Sequence, residues 1–151
     1  MPNEAEHTQL ALHNIEVIDY LLDEPNFCDW TAIVTFYTAL HVVEAVFFYD
    51  KQHNNRRHGY NHETRERILK GTKSYQNIWK HYRPIQSASV KARYLQGLSN
   101  KGLTFQQHMP SKQVEEKLIQ HHLAQLIKTS SKFLSPKSGS LLKEAFHKTL
   151  E

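Results

Sequence analysis

A chain of 151 residues, of which 39% are hydrophobic and 11% aromatic, is long enough to bury one sizeable core, and its 5 glycines and 5 prolines predict long helices rather than many turns. Its single cysteine excludes an internal disulfide and a cysteine-based zinc site, and it suits a reducing compartment. The formal net charge of +4, together with 11 histidines, permits an anionic partner without requiring one.

The N-terminal residues lack the basic region and apolar run of a secretory signal. The most apolar stretch, residues 30–49, carries His41 and Glu44 in its middle, which disfavours a membrane span. The sequence therefore predicts a cytoplasmic protein with no membrane partner.

Two helices are predicted in the first third of the chain. A helical stripe of apolar residues runs from Glu4 to about Asp23, and Pro25 ends it. Asp29 is then expected to cap a second helix, whose apolar residues cover nearly its whole circumference. This second helix should be the buried central element.

Helical spacing returns after a polar segment, and it predicts a third helix at roughly 61–83 that Gly71 weakens and Pro84 ends. A short helix is expected near Val90–Gln96, followed by a loop around Asn100–Gly102.

A fourth helix is expected to start after Ser111, with Glu115 in a capping arrangement, and to reach Phe133. The stretch 135–140 has the composition of a linker, and an amphipathic helix follows it. The prediction is an all-α fold, an up-and-down four-helix bundle over residues 1–134, with a linker and short C-terminal helix at 135–151 that docks or binds a partner.

The stretch KQHNNRRHGYNHETRER, residues 51–67, concentrates histidine and arginine. Arg57, His58 and His62 form an R-H-x-x-x-H pattern, in which Arg56 precedes the first arginine as a further binding residue. An imidazole can take the proton of an RNA 2′-hydroxyl while a guanidinium stabilises the phosphoryl oxygens, which gives a cyclic phosphate without a metal. The alternative interpretation is a solvated loop between two helices.

Charged residues on the neighbouring helices define further expectations. Glu44 should reach Arg65, and His62 should share a helix face with Arg65 because the two are three residues apart. His41 is expected to be a hydrogen-bonded core residue. His121 and His122 should be one surface and one boundary position.

Lys91, Arg93 and Tyr94 can contact a nucleic-acid backbone and stack a base, or can simply cover the end of a helix bundle. The histidines His53, His58 and His62, with His7 or His13, lack the spacing of a metal site, so neither a metal nor another cofactor is predicted. The chain has no P-loop, GxGxxG or GxSxG motif, which argues against the enzyme classes that depend on them.

Three segments in order resemble the HEPN superfamily of small prokaryotic helical domains: DWTAIVTFYTALHVVEAVFF, HNNRRHGYNHETRERIL and YRPIQSASVKARYL. The resemblance spans residues 10–130. It implies a helical bundle that is frequently dimeric, and in many members a metal-independent ribonuclease of toxin–antitoxin or antiphage systems. The family's catalytic arginine and histidine would correspond to Arg57 and His62, although the family motif generally lies at the start of a later helix and encloses an apolar run.

Two functions follow as hypotheses. The first is a homodimeric endoribonuclease in which Arg57 and His62 act on RNA, with His58 and Arg65 in support and an antitoxin or defence protein as a possible partner. The second is a noncatalytic helical module that binds a nucleotide, a nucleic acid or a partner protein through the same positive segment.

Overall fold

The computed structural model describes residues 2–53 and 61–151, and these residues form helices and no strand. The all-α prediction is therefore confirmed. We number the helices as follows: α1 is Glu4–Leu22, α2 is Cys28–Tyr49, α3 is His62–Gly71, α4 is Gln76–Tyr94, α5 is Phe105–His108, α6 comprises the consecutive segments Ser111–Gln113, Val114–Leu123 and Ala124–Ser130, and α7 is Pro136–Leu150. Short 3₁₀ turns lie at Pro25–Phe27, Lys73–Tyr75, Ser99–Lys101 and Ser131–Phe133.

Helix α2 is the central element, as its sequence predicts. Most of its side chains are buried, and α1, α4 and α6 pack against it, while α7 packs against α1. The window Pro25–Tyr49 has a mean hydropathy of 1.6 and the length to cross a membrane, but 78% of it is buried inside the protein. A buried core helix passes the same length and composition test, so this property is weak evidence for a membrane span.

The start of α2 differs from the expectation. Asp29 is not the cap: the helix begins at Cys28, after Phe27, and no side chain caps it. The 3₁₀ turn Pro25–Phe27 leads directly into the helix, so Asp29 falls within the first turn. A carboxylate there still interacts favourably with the helix dipole, which explains why the same residue resembled a cap.

The predicted helix at 61–83 is two helices. Helix α3 ends at Gly71, where Thr72 takes an extended conformation, and α4 begins at Gln76. Pro84 does not end α4, which continues to Tyr94 and absorbs most of the short helix expected at Val90–Gln96. A proline removes one N–H from the helix ladder, and here the surrounding packing of a long amphipathic helix outweighs that loss.

Helix α6 also begins differently from the expectation. Pro110 precedes its first residue, Ser111, and no side-chain capping bond forms, so the predicted pairing with Glu115 is wrong. Pro110 itself occupies the N-cap position, and proline has no polar side-chain atom with which to cap the helix. The middle segment, Val114–Leu123, is a π-helix, a rare conformation that is often found at functional sites.

Helix α7 is docked onto α1 through its first turn. Ser135 caps α7 by accepting a hydrogen bond from the backbone N–H of Ser138. The Glu4 carboxylate accepts bonds from the Ser135 N–H at 2.9 Å, the Ser135 hydroxyl at 2.6 Å and the Ser138 hydroxyl at 2.7 Å. The stretch 135–140, whose composition resembled a linker, is therefore the cap and first turn of a helix.

Replacing Glu4 with alanine should destabilise the protein by about 1.5–3 kcal/mol, since a carboxylate that accepts three hydrogen bonds is lost. Urea unfolding measures the total effect, and amide hydrogen exchange should show faster exchange in α7 than in α2. Glu16→Ala, on the exposed face of the same helix, is the matched control. Equal exchange rates in α7 for both variants would contradict the role given to Glu4.

Candidate functional site

A buried ion pair joins α2 to α3. The Nε atom of Arg65 donates to Oε1 of Glu44 at 2.8 Å, and the two residues are 6% and 3% exposed. The pair expected from the sequence is thus present. Its burial fixes the guanidinium in one position, because a charge in this environment is stable only beside its partner.

His62, the first residue of α3, lies against the same guanidinium. Asn61 caps the helix by accepting from the Thr64 N–H at 2.8 Å, and this cap sets the position of His62. The Nδ1 atom of His62 is 3.3 Å from Nη1 of Arg65, which confirms that the two residues share a helix face. Arginine can only donate, so Nδ1 accepts and the neutral ring carries its proton on Nε2.

The surroundings favour the neutral form of His62. Partial burial lowers the pKa of its imidazole below the ordinary value, although the residue as a whole is exposed, and the positive charges of Arg65 and then Arg93 lower that pKa further. Its ring centroid lies 5.6 Å from that of Phe36, which supplies part of the apolar environment. A neutral imidazole near pH 7 has a lone pair with which to accept a proton.

A second arginine approaches from the end of α4. The guanidinium of Arg93 lies over the rings of Phe36, Tyr37 and Tyr94, with its Cζ atom 5.5, 5.9 and 5.1 Å from their centroids. Phe36 therefore contacts both His62 and Arg93. The structure thus brings His62 and Arg65 of α3 together with Arg93 of α4 beside Phe36 of α2. We name His62, Arg65, Arg93 and Glu44 the Arg/His cluster.

A cleft of about 380 Å³ adjoins Arg93. Tyr94 is 71% exposed and Trp30 is 57% exposed, and both line this cleft. Leu95, the residue after Tyr94, caps the end of α4 in a left-handed backbone conformation (φ 52°). Exposed aromatic rings beside a cation form the type of surface on which nucleotide bases stack. Lys91, on the preceding turn of α4, is half-buried.

Tyr82 of α4 is buried next to the Arg/His cluster. Burial raises the pKa of its hydroxyl to about 12, while the nearby Arg65 guanidinium opposes that rise. The phenol is therefore neutral at physiological pH. Its ring packs 5.7 Å from Phe36 and so supports the aromatic side of the site.

His41 precedes Glu44 by one turn of α2, and it is half-buried rather than part of the core as expected. Its Nδ1 atom lies 3.1 Å from Nδ1 of His7 on α1. Burial lowers the pKa of the His41 imidazole, and of the two charges nearby, Glu44 raises that pKa and Arg65 lowers it. We assign it a structural role between α1 and α2.

Three sequence candidates, Arg56, Arg57 and His58, lie outside the described residues. The histidines that the sequence analysis considered for a metal site, where the structure describes them, have separate partners. The Nδ1 atom of His53 is 3.0 Å from a carboxylate oxygen of Asp50, which also accepts from the Tyr75 hydroxyl at 2.7 Å. His7 contacts His41.

Sequence reasoning missed the aromatic half of the site. Phe36 and Tyr37 resemble ordinary core residues of an apolar helix, and no pattern in the sequence predicts that Arg93 lies over their rings.

Sequence reasoning also missed a second cluster, in which His81 of α4 meets His121 and His122 of α6. As expected, His121 is exposed and His122 is at the boundary. Burial lowers the pKa of His81 and lowers that of His122 to about 4.

No family model, curated protein or solved structure matches this chain. Functional inference therefore depends on the geometry of the chain's own residues. The Arg/His cluster offers a neutral imidazole, two fixed positive charges and adjacent aromatic rings. That combination suits a phosphate-containing ligand with a base attached, such as RNA or a nucleotide.

Proposed function

We propose that this protein is a HEPN-like, metal-independent endoribonuclease. The observation that supports the proposal is the convergence of His62, Arg65 and Arg93, from two helices, beside the buried carboxylate of Glu44. These groups supply a proton acceptor and positive charge at one place. RNA carries both the 2′-hydroxyl and the phosphate that such an arrangement would act on.

In this proposal His62 is the general base. Before RNA binds, its Nδ1 lone pair accepts from Arg65, and phosphoryl oxygens that bind the guanidinium compete for that donor and release Nδ1. Nδ1 then takes the proton of the 2′-hydroxyl, and the 2′-oxygen attacks phosphorus. The bond to the 5′-oxygen breaks, the leaving oxygen takes a proton from water, and a 2′,3′-cyclic phosphate forms.

The arginines stabilise the negative charge that develops on the phosphoryl oxygens. Glu44 is a positioning residue, because it holds the Arg65 guanidinium by the Nε edge. Arg57 is proposed as the catalytic partner of His62, with Arg56 and His58 in support, on the sequence pattern. Arg93, Tyr94 and Lys91 are proposed to hold the neighbouring nucleotide.

The proposal includes the finer architecture and the setting. The four long helices would form an up-and-down bundle of the HEPN kind, with α7 as the additional C-terminal helix. Two copies would pair so that the RNA site is shared between them, in the cytoplasm, under the control of an antitoxin or another defence protein.

The direct test is incubation of purified protein with a mixed pool of RNA in the presence of EDTA. Cleavage that persists under chelation and leaves 2′,3′-cyclic phosphate ends is the expected result. RNA that stays intact at high protein concentration, with or without divalent cations, would contradict the enzymatic proposal. Products with 3′-hydroxyl ends would contradict the mechanism.

A second candidate function is noncatalytic nucleotide binding, and the cleft beside Arg93 favours it. The exposed rings of Trp30 and Tyr94 line this cleft together with Arg93. The Arg93 guanidinium lies over the Tyr94 ring, and its Nε atom donates to the Ser89 carbonyl oxygen at 3.4 Å. This surface needs no general base. Binding without turnover that is unaffected by loss of His62 would support this function over the first.

Replacing Arg93 with glutamine should weaken nucleotide binding at least about tenfold, since one charged phosphate contact is worth roughly 1.5–3 kcal/mol. Equilibrium binding of a fluorescent single-stranded oligonucleotide at two salt concentrations measures the effect, and the variant should also show the shallower salt dependence. Arg83→Gln, an exposed arginine on the same helix, is the matched control. Equal losses in both variants would point to nonspecific electrostatics and contradict the site.

A further inference from the structure

We propose that His81, His121 and His122 form a binding site for one transition-metal ion of the Zn²⁺ class, separate from the Arg/His cluster. Each of the three histidines offers one ring nitrogen, and these atoms all lie within 4.8 Å of one another. We name the three residues the triple-histidine site.

The distances suit a metal ion. The Nδ1 atoms of His81 and His122 are 3.1 Å apart. Ligands on a tetrahedral zinc ion, at bonds of about 2.0–2.1 Å, are separated by about 3.3 Å. Two of the three nitrogens therefore already have nearly the required spacing. His121 is exposed, and a rotation of its side chain is enough to bring its nitrogen closer.

The backbone of α6 explains why neighbouring residues can act together. Successive side chains on an α-helix point about 100° apart, as 3.6 residues per turn requires. His121 and His122 lie instead in the π-helical segment Val114–Leu123, which has more residues per turn and a smaller angle between successive side chains. Their ring centroids are 4.6 Å apart. Both rings also reach His81, at 5.5 and 5.4 Å.

The burial of His81 supports a ligand role. This residue is 7% exposed, and it lies where α4 packs against the π-helical segment. A hydrogen bond between His81 and His122 alone satisfies one nitrogen of each ring and leaves the position of His121 unexplained. A shared metal ion accounts for all three rings converging at one point between the two helices.

The ligand set determines the class of metal. Imidazole nitrogen suits Zn²⁺, Co²⁺, Ni²⁺ and Cu²⁺, whereas Mg²⁺ and Ca²⁺ prefer oxygen. Three protein ligands leave a fourth position for water or an added ligand, and the exposed His121 places that position near solvent. The ammonium group of Lys80 adds positive charge nearby, but this side chain is exposed and solvent screens it.

The spacing of His53, His58 and His62, with His7 or His13, predicts no metal site, and it carries no information on His81, His121 and His122. The triple-histidine site joins residues 41 positions apart on different helices, so no local spacing reveals it. The proposal is also independent of the proposed ribonuclease. Its effect would be to cross-link α4 and α6, and RNA cleavage is expected to persist when a chelator removes the ion.

The experiment uses untagged protein treated with EDTA and dialysed. Zn²⁺ is titrated in competition with a chromophoric chelator, and Co²⁺ is titrated while the visible absorption is recorded. We expect one ion per chain, the strong visible bands of a tetrahedral cobalt site, and a higher unfolding temperature with Zn²⁺ than with EDTA. His81→Gln, His121→Gln and His122→Gln should each weaken binding at least about tenfold.

His13→Gln and His147→Gln are the controls, since both histidines are exposed and lie on other helices. His121→Gln is the decisive variant, because the exposed position of His121 allows the protein to fold without it. The proposal is overturned if the unmodified chain shows no one-to-one binding. It is equally overturned if folded His121→Gln binds like the unmodified chain, or if the control substitutions weaken binding as much as the ligand substitutions.

Discussion

Replacing His62 with alanine should lower the rate of RNA cleavage by a factor of about 10²–10⁴, the usual contribution of a general base. The substitution removes the Nδ1 atom that Arg65 contacts and leaves the Glu44–Arg65 pair intact. Because His62 is exposed at the start of α3, the variant should fold normally. Single-turnover cleavage of a fluorescent RNA in EDTA measures the effect directly.

His147→Ala is the matched control, since it removes an exposed histidine near the end of α7. The pH dependence gives a second readout. A base must be unprotonated, so cleavage should fall as the pH drops through the pKa of His62, and burial and the two arginines set that pKa below its ordinary value. Cleavage by His62→Ala at the unmodified rate would remove His62 from the mechanism.

Replacing Glu44 with glutamine should destabilise the protein by about 3–5 kcal/mol, the usual cost of removing one member of a buried ion pair. Arg65 is 6% exposed, so water replaces the lost carboxylate poorly. Urea unfolding followed by circular dichroism measures the change. Cleavage should also fall under conditions where the variant is still folded, because the guanidinium loses the group that fixes its Nε edge.

Glu63→Gln is the matched control, because Glu63 pairs with Arg67 on the exposed side of the same α3 helix. That substitution should change the unfolding free energy by no more than about 0.5 kcal/mol. The double variant Glu44→Gln/Arg65→Met should recover part of the stability that Glu44→Gln loses, since the buried positive charge is removed as well. A loss below about 1 kcal/mol for Glu44→Gln would show that the pair is not effectively buried.

Much of the fold was predictable because it depends on local patterns. The helical spacing of apolar residues gave α1 almost to the residue, and the fully apolar character of α2 gave its central position. The errors lie at helix boundaries, where local signals compete. Asp29 resembled a cap but lies within a turn, and Pro84 resembled an end but lies inside α4 because tertiary packing outweighs the missing hydrogen bond.

The candidate site was predictable to the extent that its residues are close in sequence. His62 and Arg65 are three apart, and their contact follows from helix geometry. The partnership of Glu44 with Arg65 followed from the turn expected between their helices. By contrast, Arg93 of α4 joins the site by its contact with the Phe36 ring of α2, and His81 of α4 contacts His122 of α6. Such contacts depend on how whole helices pack, which no short pattern encodes.

The contact between Glu4 and the start of α7 has a consequence for the order in which the chain folds. Its partners, Ser135 and Ser138, lie 131 and 134 residues further along the sequence. Helices α1 and α2 are neighbours in sequence and in space, so they can pair while the chain is still being synthesised. The face of α1 that α7 covers stays uncovered until α7 has been synthesised. Until then, that face is an exposed surface on a partly folded chain, which chaperones or other chains can reach.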